Sequence, residues 1–336
     1  MTEPTKKKII YLDQNIWVEL LKVYSSADKS SEFWELCNWV LVSSSKDEII
    51  FPISFVNMVE TTNRMNSESR HQLVDFIDKV SKGNTIQPYT KEFREEEMRH
   101  AILKRFNASE GGIHNKVFGS GIPHLMGASA IIGGEASELK KKTALRLINS
   151  RALLKWTLEN HNRKDFGITG DPHLLKKLEA IRSEEKKIKD NSYRRKVSQA
   201  KFFCSLLPEI VKMSLDLGYT AHLFKSRPKD LSNVSPEERE IFHKEIIEFF
   251  QTIPATYVSS VLKYERNDAQ RTIKDHDLND IYSFAMAVPY CDIVVGENMF
   301  ISFAKKAKLD NVYNTTLLKG GLKEFNAYYA KNIKNK

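Results

Sequence analysis

No stretch of about 18 consecutive apolar residues occurs in this 336-residue chain, so a membrane-spanning helix is not expected. Cysteine is scarce as well. Cys37, Cys204 and Cys291 are odd in number and far apart, which offers neither a disulfide framework nor a zinc knuckle, and all three are expected as buried thiols. The first eight residues are polar and run straight into a strand-like segment without the apolar core of a secretory leader, so a cytoplasmic protein is expected. Neither the phosphate-binding P-loop nor the dinucleotide fingerprint is present. The one glycine-rich piece, residues 111–134, has the wrong spacing for both and is expected to be a connector or a substrate-facing loop carrying His114 and His124. Acids are in deficit: 43 Asp and Glu against 52 Lys and Arg give a net charge of +9 and a pI near 9.2. That balance favours an anionic partner, nucleic acid first.

What is present divides the chain. Residues 8–13, 48–54, 83–89, 292–296 and 312–318 read as short apolar strands, each but the last followed by helical spacing. Strands alternating with helices predict an α/β fold, a three-layer α/β/α sandwich around a parallel five-stranded sheet. Pro88 places the third strand at a sheet edge. Between about 91 and 255 the pattern changes to charged helical segments at 91–106, 135–160, 173–189, 192–217 and 236–250. The expected organisation is therefore a core from residues 1–90 and 256–336, with residues 91–255 as a helical insertion. The tail beyond 318 is lysine-rich and is expected as a loose helix.

The stretch from Asp275 to Asn298 organises the rest: a helix, a turn at Pro289 and a buried strand. On a helical wheel Ile281, Phe284, Ala285 and Val288 form one apolar stripe, Asp277 falls inside it one turn earlier, and Asp280 lies at its edge. Burying carboxylates costs several kcal/mol unless their charge is compensated. Asp277 equally suits an N-cap with Asp280 in the first turn, against the positive end of the helix. Two further acids follow strands: Asp13, at the end of the first, and Glu60, on the helix that Ser54 caps after the second. In an open parallel sheet the carboxyl ends of neighbouring strands meet at one edge, which would gather Asp13, Glu60, Asp280 and Glu297. Such a set of carboxylates calls for a hard cation, Mg²⁺ or Mn²⁺.

The series Tyr11-Leu12-Asp13-Gln14-Asn15, then Ser54, Asn57, Glu60 and Thr61, then Asn279-Asp280-Ile281, Ala285-x-Ala287 and the strand ending Gly296-Glu297-Asn298 resembles a PIN-domain nuclease, in its larger bacterial subgroup with a helical insertion. The resemblance covers the two flanking segments and not the insertion. It implies Asp13, Glu60 and Asp280 as acidic metal ligands, Asn15 as the polar residue supporting the first acid, and Asp277 as a further acid beside Asp280. The family usually has Thr before its fourth acidic position. Gly296 stands there in this chain, and either Glu297 or Asn298 could fill the place that follows.

The implied chemistry is metal-dependent hydrolysis of a phosphodiester by a water that the cation activates, with no covalent enzyme intermediate. RNA is the substrate that the resemblance implies, cut endonucleolytically, with a toxin or phage-defence role by analogy only. Arg266 and Arg271, just ahead of the acidic helix, could meet the phosphodiester or pair with local acids. Two other readings compete, a structure-specific DNA nuclease and an RNA-binding scaffold whose metal site is too weak to work. A haloacid-dehalogenase-type phosphatase ranks below both, because it needs an acid where Asn15 stands. Self-association and a regulatory protein partner are both compatible with the sequence.

Overall fold

The computed structural model describes residues 7–108, 113–127, 138–161, 172–219, 223–227, 234–269 and 271–334. It divides into two compact units. The first comprises Met1–Pro88, His114–Asp171 and Asp275–Lys336, the second Tyr89–Ile113 and Pro172–Lys274. Residues 114–171, which the sequence pattern groups with the insertion, thus belong with the sheet, and residues 256–274 belong with the helical unit.

The described residues of the first unit contain strands β1 (Lys8–Leu12), β2 (Ile49–Ile50), β3 (Asn84–Ile86), β4 (Phe118–Ser120), β5 (Ile293–Gly296) and β6 (Thr316–Lys319). A four-stranded sheet of order β2-β1-β5-β6 is parallel throughout. Ile9, Ile10, Tyr11 and Leu12 are all buried, as are all four residues of β5. Apolar runs without alternation are what strands covered on both faces require.

The expected five-stranded sheet is not formed. β3 reaches the sheet only through one parallel bridge between Ile53 and Thr85, and pairs with β4 as an antiparallel ribbon. Pro52, which has no N–H to donate, separates the two-residue β2 from Ile53, the residue that bridges to β3.

Helix ends follow local chemistry. Ser54 starts the helix Phe55–Thr62 with a reciprocal capping box, its hydroxyl accepting from the Asn57 N–H and its N–H donating to Asn57 Oδ1. The helix Asp275–Tyr290 runs through Pro289 instead of turning there. A proline in the last turn costs only one intrahelical hydrogen bond, and the Cys291 N–H still bonds to the Ala287 carbonyl at 2.9 Å. The C-terminal helix Gly321–Asn332 is not loose: Leu322, Phe325 and Tyr329 join the core that contains Trp17, Leu36 and Phe51. Cys37 and Cys291 are buried as expected, whereas Cys204 is exposed.

The second unit is helical, built from Lys91–Arg105, Pro172–Lys186, Asn191–Asp216, Pro236–Gln251 and Pro254–Asp268. Phe203 stacks on Phe250 at a ring separation of 4.1 Å in its core. The segment expected to return to the sheet, residues 255–268, is instead the last of these helices, and a buried carboxylate fixes its start. Glu97 accepts hydrogen bonds from the backbone N–H groups of Ala255 (2.8 Å) and Thr256 (3.1 Å) and from the Thr256 hydroxyl. Replacing Glu97 by Ala leaves these buried donors without their acceptor at the positive end of a helix. Such a change is expected to lower stability by about 3 kcal/mol, with Glu97→Gln losing less, as read from urea unfolding midpoints.

Candidate active site

Asp13 directly follows β1 and Glu297 directly follows β5. Because Leu12 pairs with Val295 in the parallel register, the two acids emerge side by side at the carboxyl edge of the sheet. The Asp13 N–H continues the ladder to the Val295 carbonyl at 2.9 Å, and the Asp13 side chain caps the helix Gln14–Ser26 by accepting from the Gln14 N–H. Asp13 is thus the N-cap of that helix as well as the acid at the end of β1. Glu60 comes from the helix Phe55–Thr62, which packs against the helix Asp275–Tyr290 carrying Asp277 and Asp280. That second helix begins at Asp275, so Asp277 lies inside its first turn and is not its cap. Asp277 is fully buried, and Asp13 and Asp280 nearly so.

The electrostatics show that these acids share one place. Burial pushes Asp280 up to about 9, and Asp13, Glu297, Glu60 and Asp277 push in the same direction. Glu60 rises to about 7 through burial and then the charges of Asp13 and Glu297. Asp13 rises to about 6, mainly through burial, with Glu297 adding to it, while backbone hydrogen bonds from Gln14 and Glu297 hold it back. Burial with like charges nearby is what raises a carboxyl in this way.

A consequence for stability follows directly. Groups whose acidity is weakened by folding contribute stability that is complete below their unfolded values, near 4, and is lost as pH rises through about 6, 7 and 9. With a chelator present, the melting temperature is expected to fall steadily from pH 5 to pH 9. Millimolar Mg²⁺ should restore it, by more at pH 9 than at pH 6, in a scanning calorimetry series.

Beneath the acids lies a buried polar chain that the sequence reading missed. The Tyr11 hydroxyl bonds to Ser283 Oγ and, at 3.2 Å, to Ser54 Oγ. Ser54 Oγ donates to Asn57 Oδ1 at 3.0 Å, the Asn57 amide donates to Gln14 Oε1 at 3.3 Å, and Gln14 Nε2 donates to Thr61 Oγ1 at 2.9 Å. Since Ser54 donates to Asn57, Tyr11 must donate to Ser54 and accept from Ser283. Burial and the charge of Asp13 raise the Tyr11 pKa, so the phenol stays protonated and can donate. The chain links the residues on either side of Asp13 to the helix of Glu60 and the helix of Asp280. A tyrosine and a glutamine flanking an acid at a strand end would have been the only sign of it in the sequence.

Two further positions differ from expectation. Asn15 is exposed, and among the described residues its side chain makes no hydrogen bond; Gln14 supports Asp13 instead. Arg266 is buried in the helical unit, where its guanidinium donates to the carbonyls of Arg271 (2.7 Å) and Thr272 and so ties down the loop after its helix. Arg271 itself is exposed, as is Asn298. His124 bonds to Thr85 Oγ1 at 2.7 Å and to the Lys116 carbonyl at 3.1 Å, a structural histidine whose pKa burial lowers. The His114 side chain and residues 111–112 and 128–134 of the glycine-rich piece lie outside the described residues.

Gly296 has a steric cause. A Cβ there would stand 2.4 Å from Cζ of Phe284, whose ring also packs on Tyr11 and Phe300. A threonine at this point would have to displace the buried Phe284 ring.

As the side chains stand, no group of three or more His, Cys, Asp or Glu among the described residues is disposed to hold a metal ion. The fit to a divalent cation is therefore one of donor chemistry: Asp13, Glu60 and Asp280 are oxygen acids whose pKa values burial and neighbouring carboxylates raise. No protein-family model, curated protein or solved structure matches the chain.

Proposed function

We propose that the chain is a PIN-like, divalent-metal-dependent nuclease with a three-layer core, acting as an endoribonuclease. The observation that carries this reading is that burial and neighbouring carboxylates, Glu297 and Asp277 among them, raise Asp13, Glu60 and Asp280, which come from a strand end and two helices at one edge of a parallel sheet. A protein keeps buried like charges together at a cost of several kcal/mol, and a function that needs them is the usual reason.

Asp13, Glu60 and Asp280 would hold Mg²⁺ or Mn²⁺, with Asp277 and Glu297 beside them. A cation bound there supplies an activated water and neutralises charge on the phosphate. The residues supply the placement. Asp13 is fixed by the Gln14 N–H, and the chain from Ser283 through Tyr11, Ser54 and Asn57 to Gln14 holds the three acid-bearing segments in register. A net charge of +9 favours a polyanionic substrate.

The test is to incubate the protein with mixed cellular RNA and with single- and double-stranded DNA, with Mg²⁺ or Mn²⁺ and with chelator, beside Asp13→Asn. Metal-dependent RNA cleavage that Asp13→Asn removes is the expected result. Cleavage confined to DNA would make the protein a DNA nuclease, and metal-independent cleavage, or cleavage unchanged in Asp13→Asn, would overturn the metal site. Binding of RNA without cleavage by any form would favour the scaffold.

A further inference from the structure

A cavity of about 410 Å³ opens beside the acids, lined by Asn15, Glu19, Lys22, Glu297, Asn298 and the Gly320–Gly321 turn with its neighbours on three elements. Its volume lies in the range of small-ligand sites. All of its walls come from the first unit: the helix Gln14–Ser26, the end of β5 and the connection from β6 to the C-terminal helix.

The walls carry hydrogen-bonding capacity that the fold does not use. Among the described residues the side chains of Asn15 and Asn298 make no hydrogen bond, and Lys22 has no ion pair. Glu19 is held in place by one contact, accepting from the Leu322 N–H through Oε2 at 3.3 Å, which leaves Oε1 to face a ligand. That position depends on glycine: Gly321 has φ +67°, and a Cβ there would stand 3.0 Å from Glu19 Oε2. The turn thus keeps both the backbone conformation and the space that the carboxylate needs.

Two carboxylates and two amide carbonyls make this cavity rich in acceptors. Carboxylates repel a phosphate, so the group that suits the cavity is a neutral donor, and the donor that distinguishes RNA from DNA is the ribose 2′-hydroxyl. Lys22, the one cation of the wall, suits a neighbouring phosphate. Resting on the nuclease reading above, we infer that this cavity seats the ribose of one nucleotide next to the scissile bond, with Glu19, Asn15 and Asn298 accepting or exchanging hydrogen bonds with its 2′-hydroxyl. RNA is then chosen over DNA at the cavity and not at the metal.

The test separates the two ideas. Binding of a fluorescent oligoribonucleotide and of the oligodeoxyribonucleotide of the same sequence is measured by anisotropy in Ca²⁺, and cleavage of both in Mg²⁺, for the wild type, Asn15→Ala and Asn298→Ala. Both substitutions are at exposed positions, and thermal melts verify that the variants fold. A wild-type preference for RNA of at least about tenfold in binding, shrinking toward equality in the variants, is expected. A walk of single 2′-O-methyl groups along the RNA should find one position, adjacent to the cut, where cleavage falls by a similar factor.

Equal binding of RNA and DNA by the wild type would overturn the inference. So would variants that weaken both nucleic acids in the same proportion, or a 2′-O-methyl walk without a sensitive position. A wild type that cuts nothing in Mg²⁺ yet prefers RNA, with that preference removed by Asn15→Ala or Asn298→Ala, would refute the nuclease and support the cavity.

Discussion

Asp280→Asn is expected to lower metal-dependent cleavage on the order of 10³-fold while leaving the metal-free protein more stable at high pH. The two effects have one origin. Burial and four neighbouring acids push Asp280 up to about 9, so in the absence of a cation its carboxyl is neutral near pH 7 and is forced to ionise only as pH approaches and passes 9. An amide of the same shape never takes that charge. Near pH 4, where the unfolded carboxyl is still largely protonated, the variant and the wild type should therefore melt at similar temperatures in chelator, and the variant should pull ahead as pH rises. At pH 9.5 the variant should melt several degrees higher, because the wild type then carries a buried charge among like charges. Magnesium should reverse the order by raising the wild-type melting temperature and leaving the variant nearly unmoved. A variant that loses activity and also melts lower at pH 9.5 would show that Asp280 is a structural residue. Paired melting and cleavage measurements on one preparation decide between the two.

Gly296→Thr is expected to destabilise the protein by about 3 kcal/mol or more, with loss of soluble yield at 37 °C. The first added atom already lies 2.4 Å from Phe284 Cζ, inside a core that holds Tyr11 and Phe300 against the same ring. The backbone of Gly296 is paired with Lys319 in the parallel ladder between β5 and β6, so the strand has little freedom to move away. Gly296→Ala should show the same effect at smaller size. Shortening the opposing side chain makes room, so Gly296→Ala combined with Phe284→Leu should be more stable than the sum of the two single changes by about 1 kcal/mol or more, as measured by urea denaturation. Strict additivity would mean that the glycine is required for another reason. The glycine at 296 is thus a matter of packing, set by Phe284 on the facing helix four residues after Asp280.

Elements whose identity is set by nearby residues were legible in the sequence. The capping box of Ser54 and Asn57, the buried run Ile9–Leu12 and the apolar stripe of Ile281, Phe284, Ala285 and Val288 each follow from chemistry within a few residues. The acids were legible for a related reason: Asp13 and Glu297 directly end strands, and a parallel sheet puts neighbouring strand ends on one edge. Other features depended on partners distant in the chain. Pro52 was visible, but only the pairing of β3 with β4, more than thirty residues later, decided that β3 would leave the parallel sheet. Whether residues 255–268 belonged with the sheet or with the helices was decided by Glu97, whose carboxylate meets that helix across a separation of 158 residues. Arg266, a candidate for substrate contact by its position before the acidic helix, was withdrawn by two backbone carbonyls in a loop without periodicity. Local hydrogen bonding and the alternation of apolar residues are properties of short segments and are written in the sequence. Burial of a charge, the neighbour that satisfies it and the space left for a Cβ are properties of pairs of segments, and only the packed chain brings those pairs together.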